Sequence, residues 1–171
     1  MNPRCQAPTP APHLRPAQRG TTWATDSSRK PIEMRDFTQF VQPAPSVESE
    51  SALIAAASAC LDRFTACFNA QDLAGMDGEL HFPHVMLSGA ERLTWPQPGQ
   101  HPRDFFNNLL ATGWHHTRYA SKEAVLVGRD KVHFVVAYAR CDETGDVLSM
   151  HTNLWIVTRV NRKWGISVRS Y

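Results

Sequence analysis

From about residue 116 to the end of the chain, apolar and polar side chains alternate in four runs, about 116–127, 131–141, 147–160 and 163–170. The breaks between them, Gly128-Arg129-Asp130, Glu143-Thr144-Gly145-Asp146 and Asn161-Arg162-Lys163, carry residues that tight turns favour. A period of two puts successive side chains on opposite faces, so this half predicts four strands in an antiparallel meander. In the second run Val132, Phe134, Val136, Tyr138 and Arg140 share one face, and His133, Val135, Ala137, Ala139 and Cys141 the other. The bulky face is expected to meet the helices.

Upstream the period is helical. Ile54, Ala57, Leu61, Phe64 and Phe68 recur at spacings of three and four, behind Ser46 as a cap and with Glu48 and Glu50 at the positive end of the helix dipole. This long helix is expected to end near Asn69. Asp72 can cap a shorter helix through Leu73, Met76 and Leu80, weakened by Gly75 and Gly78, with His81 and Pro83 marking the exit. Val85-Met86-Leu87 and Arg92-Leu93-Thr94-Trp95, on either side of Ser88-Gly89-Ala90, predict a small hairpin. After a loop with Pro96, Pro98 and Gly99, Pro102 and Asp104 suit the first turn of a third helix. Its apolar face is Phe105, Phe106, Leu109 and Leu110, and Gly113 stops it.

Eight of the twelve prolines lie in the first 45 residues, among Ser, Thr, Gln and Arg. Such a mixture buries too little apolar surface to offset the entropy of ordering it. Residues 1–45 are therefore expected to form a disordered tail ahead of one domain over 46–171. The tail has six Lys/Arg against three Asp/Glu, and the rest twelve against thirteen, a net +3 and −1. A body this near neutrality offers no basic field to a phosphate backbone, which argues against nucleic acid as a partner. Cys5, Cys60, Cys67 and Cys141 form no CxxC pair and no zinc spacing with the histidines. The polar, proline-rich start carries no apolar run, so neither a secretion signal nor a membrane span is expected, and a reduced, cytoplasmic protein is.

Phe64-Thr65-Ala66-Cys67-Phe68-Asn69-Ala70-Gln71-Asp72 is an aromatic-rich helix followed by a short joint, and Leu154-Trp155-Ile156-Val157-Thr158 and Lys163-Trp164-Gly165-Ile166 flank the last turn. In these stretches and in its order of helices, hairpin, helix and meander, the chain resembles the nuclear transport factor 2-like (SnoaL-like) superfamily over about 125 residues. The resemblance implies an α+β fold, a cone-shaped curved antiparallel sheet wrapped on three N-terminal helices (a cystatin-like roll). It also implies an enclosed pocket and a homodimer across the outer sheet face. Ketosteroid-isomerase-like members carry a proton-transferring aspartate at the end of the first hairpin strand, where this chain has Ser88. Glu91, the nearest carboxylate, falls in the turn or at the first outward position.

Histidine is then the best base available, because its ordinary pKa of about 6.5 lets it accept and return protons near neutrality. His84, opening the first hairpin strand, and His116, between the third helix and the meander, are the expected catalytic pair. His115, His133 and His151 are the other candidates in the body, and each fits a solvated or structural role as readily. Tyr138 and Arg140 are expected in support, Arg140 through a guanidinium fork that suits a carboxylate or enolate. Resemblance to scytalone dehydratase, a member of the superfamily, adds Tyr119 and Asp62 by residue type, although Asp62 shares a polar helix side with Ser58, Thr65 and Asn69. Phe64, Phe68, Trp95, Phe106, Phe134 and Trp155 are expected to line an apolar pocket. The chain has no glycine-rich phosphate loop, HExxH, GxSxG or paired acidic cluster, so neither a metal nor a nucleotide cofactor is expected. Two functions fit: a cofactor-independent lyase, isomerase or cyclase acting on a small hydrophobic molecule, or a non-catalytic ligand-binding or dimerisation module of the same fold.

Overall fold

A computed structural model describes Val41 and residues 45–171 of the protein, so the expected disordered tail, with Cys5, falls almost wholly outside the described residues. The helical spacing is realised as α1 (Glu50–Asn69), whose buried stripe is Leu53, Ala57, Cys60, Leu61 and Phe64. Its cap is Ser49 and not Ser46. Ser49 Oγ accepts from the Ala52 N–H at 3.2 Å, while Ser46 Oγ accepts from the Glu48 N–H in the approach to the helix. By length and composition this 20-residue helix could cross a membrane, but its stripe is used here against the sheet.

Asp72 caps α2 (Leu73–Gly78) by accepting from the Gly75 N–H at 2.8 Å. A Cβ at Gly75 would stand 2.3 Å from Asp72 Oδ2 and 2.7 Å from Cys67 Sγ, so the glycine that weakens this helix is also what lets it fold back on α1.

The first strand, β1 (Leu80–Ser88), starts well before Val85 and takes in His81, Pro83 and His84. The reason is a partner remote in sequence. β1 runs parallel to β6 (Lys163–Ser170), with Leu80 beside Ile166, Val85 beside Val168 and a register shift between those pairs. Pro83 sits in the shifted stretch, where the ladder needs no N–H from it. Ser88 then faces Glu91 across the turn into β2 (Glu91–Trp95), and α3 (Phe105–Leu110) follows.

The meander consists of β3 (His116–Gly128), β4 (Lys131–Cys141), β5 (Val147–Val160) and β6, within a residue of the spans expected from the alternation. Asn161 and Arg162, both left-handed at φ 51° and 66°, make the two-residue turn between β5 and β6. All six strands form one curved, unclosed sheet in the order β2-β1-β6-β5-β4-β3. Every pairing is antiparallel except β1–β6, which makes the sheet mixed. Register shifts in the β3–β4 ladder, between Tyr119 and Ser121 and between Ala124 and Leu126, are the bulges that bend it.

The bulky face of β4 points inward: Val132, Phe134 and Val136 are fully buried. On β5, Asn153, Trp155 and Val157 face the core, and Leu148, Met150 and Leu154 face out. Phe64 of α1 meets Trp155 edge-on at 5.6 Å between ring centroids, which fixes the helix over the middle of the sheet.

The two serines before α1 should behave differently. Ser49→Ala is expected to lower the unfolding free energy by about 1 kcal/mol, whereas Ser46→Ala should change it by less than about 0.5 kcal/mol. Urea denaturation followed by circular dichroism checks both.

Candidate active site

Between the inward face of the sheet, α1 and the segment joining β2 to α3 lies a cavity of about 330 Å³. Phe64, Thr65 and Phe68 come from α1, and Leu93 and Trp95 from β2. The sheet contributes Tyr119, Tyr138, Arg140, Trp155 and Arg169. The wall is thus largely aromatic and aliphatic, interrupted by two guanidiniums and by the imidazole of His101.

His101 was not among the residues singled out from the sequence. Its position follows from Asp77, at the end of α2. Asp77 Oδ2 accepts from the Gly99 N–H at 2.7 Å and so pins the loop, and Asp77 Oδ1 lies 3.2 Å from His101 Nε2. The two side chains are only 9 % and 3 % exposed. That approach lacks the alignment of a hydrogen bond, and among the described residues neither nitrogen of His101 has a hydrogen-bond partner. Trp95 stands edge-on to the imidazole at 4.5 Å and Phe105 lies 5.6 Å away. Burial among these rings pushes the His101 pKa below its ordinary 6.5, against the opposing pull of the Asp77 carboxylate, so the ring is neutral at pH 7.

His84 is fully buried mid-strand and does not line the cavity. Its Nδ1 is 3.0 Å from the Ile166 carbonyl oxygen, which makes Nδ1 the protonated nitrogen, and its Nε2 accepts from Arg169 Nε at 3.0 Å. Burial, and then the Arg169 charge, push its pKa down to about 3. His84 thus braces the guanidinium that does reach the cavity.

His116 does not join it. Thr117, which lines the cavity, is the next residue on β3, and strand alternation turns His116 to the other face, where it meets His115 edge-on at 5.8 Å. The expected pair therefore does not converge. His133 and His151 also lie outside the lining; His151 stacks on Tyr138 with ring centroids 5.0 Å apart.

Tyr138 and Arg140 do line the cavity. Tyr138 Oη accepts from Asn153 Nδ2 at 3.2 Å, and burial raises its pKa, keeping the phenol protonated. Tyr119 also contributes to the wall, but its hydroxyl is spent on the Leu61 carbonyl at 3.2 Å. Asp62 is on the surface, paired with Lys122. Ser88 and Glu91 are exposed at the hairpin tip. Of the expected aromatic lining, Phe64, Phe68, Trp95 and Trp155 are in place. Phe106 and Phe134 belong to the core instead. One helical step turns Phe106 from the cavity toward Trp114, 6.1 Å away, while Phe105 and Pro102 take the wall, and Phe134 is fully enclosed beneath α1.

No protein-family model matches this chain, and no curated protein matches it in sequence. Solved structures do match in shape. A protein of unknown function with a cystatin-like fold from Nostoc punctiforme gives a TM-score of 0.54 at 14% identity, covering 74% of this chain and 92% of that one. A hexachlorocyclohexane dehydrochlorinase from Novosphingobium barchaimii gives 0.51 at 16% identity, with 70% and 85% covered. An NTF-2 like protein from Shewanella oneidensis gives 0.46 at 11% identity, with 66% and 93% covered. The fold is that of the nuclear transport factor 2-like proteins, an α+β class that includes the cystatin-like roll.

The state of His84 predicts how stability depends on pH. In the unfolded chain it takes up a proton below about 6.5, in the folded one only near 3. Between these values the unfolded state binds more protons, so stability should fall as pH drops through that window, by up to about 1.4 kcal/mol per unit from this residue. His84→Gln, which does not titrate, should flatten the slope in urea unfolding between pH 7 and 4. An unchanged slope would assign the loss to other groups.

Proposed function

We propose that this chain is a cofactor-independent isomerase or lyase in which His101, oriented by Asp77, moves a proton on a small, largely apolar molecule. The observation that carries the reading is a neutral histidine whose ring nitrogens have no hydrogen-bond partner among the described residues, in the wall of an apolar cavity and 3.2 Å from a carboxylate. In this reading substrate binding turns the Nε2–H onto Asp77, 3.2 Å away, which leaves the lone pair on Nδ1 to accept the substrate's proton; Asp77 stabilises the imidazolium that results. Tyr138, held protonated and oriented by Asn153, is placed to donate to the oxygen on which negative charge develops. An isomerase returns the proton to another carbon, and a lyase expels a leaving group instead. That a protein described as a dehydrochlorinase shares the fold supports this class of chemistry.

The test is exchange of acidic C–H protons in D₂O, followed by NMR over a panel of small apolar carbonyl compounds. Exchange should fall at least about a hundredfold in His101→Gln. Asp77→Asn should move the acid limb of the exchange rate to lower pH, because the carboxylate raises the His101 pKa. Absence of exchange across the panel, or exchange indifferent to His101→Gln, would overturn the assignment. Binding without exchange would mark a ligand-binding module.

We also infer a homodimer through the outer sheet face, where Leu148, Met150 and Leu154 of β5 are 46%, 56% and 36% exposed. Analytical ultracentrifugation should find a dimer that Met150→Asp shifts toward monomer; a wild-type protein that stays monomeric at high concentration would refute it.

A further inference from the structure

The acid–base reading leaves the cations of the cavity wall unexplained. Arg169 is 7 % exposed. Its Nε donates to His84 Nε2 at 3.0 Å, one Nη2 hydrogen is directed at Met86 Sδ at 3.1 Å, and among the described residues the Nη1 hydrogens have no partner. The guanidinium carbon lies 5.3 Å from the centroid of the Phe64 ring and 5.8 Å from that of Trp155. Ring faces, a thioether and a neutral imidazole solvate this charge without cancelling it. Among the described residues no carboxylate pairs with Arg169 or with Arg140, whereas Arg63 and Arg129 each pair with one and Arg159 with two. Two further donors on residues of the same wall, Arg140 Nε and Trp155 Nε1, are buried and have no partner among the described residues.

A charge held away from water is costly unless an opposite charge meets it, and a buried donor is costly unless something accepts from it. Three residues of one cavity break both rules together, and a single ligand would restore them. The geometry points to a substrate that carries a carboxylate, gripped by Arg169 and Arg140, with its apolar body along Phe64 and Trp155 and its reacting carbon toward His101. A planar carboxylate fits a guanidinium fork and supplies acceptors for the remaining donors. The volume of about 330 Å³ and the aromatic wall suit a compact apolar acid. His84 is a positioning residue in this arrangement: its bond to the Ile166 carbonyl aims Nε2 at the base of the guanidinium and leaves the outer N–H groups to the ligand.

This inference rests on the cavity being the reaction site proposed above, but concerns its ligand. Calorimetry with the full chain should compare benzoate, phenylacetate and 2-naphthoate with their neutral amides. The acids should bind at least about tenfold more tightly, as charge-assisted bonds to a desolvated guanidinium require. Arg169→Gln should bring acid and amide level, Arg140→Gln should narrow the gap, and His101→Gln should leave it intact. Amides that bind wild-type protein as tightly as the acids would overturn the proposal, as would an acid preference undiminished in both arginine variants. The first comparison uses wild-type protein and survives a variant that misfolds. An acid preference without proton exchange would leave the substrate class standing and remove the acid–base reading; exchange on neutral carbonyl compounds with no acid preference would do the reverse.

Discussion

The parallel pairing of β1 with β6 joins the hairpin to the meander, two parts of the chain that lie far apart in sequence. It is secured by the Ile166 N–H donating to the Glu79 carbonyl and the Tyr171 N–H to the Leu87 carbonyl, each at 2.9 Å. Closing so long a loop costs chain entropy before any contact rewards it. The compensating term is burial of the α1 stripe against the sheet, with Leu61, Phe64, Trp155, Val157 and Ile166 in one core. Gly165 serves the same junction: a Cβ there would lie 2.6 Å from the His81 ring, so only glycine lets β1 come this close.

That pairing decides the electrostatics of the cavity. It sets Met86 beside Arg169 and places His84 within hydrogen-bonding distance of the guanidinium. A second long-range contact, Asp77 to Gly99, brings His101 into the same cavity wall, against Trp95. The two buried histidines then differ in one respect that separates their roles. His84 has both nitrogens engaged, by a carbonyl and by a guanidinium, and supports its surroundings. His101 has neither engaged among the described residues and retains the capacity to take a proton.

Much of the fold was legible because its signals are local. The alternation over 131–141 and 147–160 coincides with β4 and β5, and Asp72 caps the short helix it was expected to cap. The errors are local too: Ser46 and Ser49 are equally good caps by residue type, and only Ser49 accepts from the first turn of the helix. The start of β1 was set several residues late, since Pro83 reads as a terminator until the irregular ladder beside it is known. Within the site, Tyr138, Arg140 and four of six aromatics were recognisable from strand face and helix stripe. His101 was not, because a single histidine in a proline-rich loop carries no periodicity, and Asp77 in a six-residue helix carries no hint of a partner.

By itself, then, the sequence determined the succession of elements, the inward face of β4 and the apolar character of the cavity, all consequences of side-chain periodicity within a few residues. The tertiary structure alone decided which histidine has both ring nitrogens engaged and which has neither among the described residues, and left Arg169 with no paired carboxylate among them. Those properties depend on burial and on partners far along the chain, Asp77 for His101 and Ile166 and Arg169 for His84, and no short stretch of sequence encodes them.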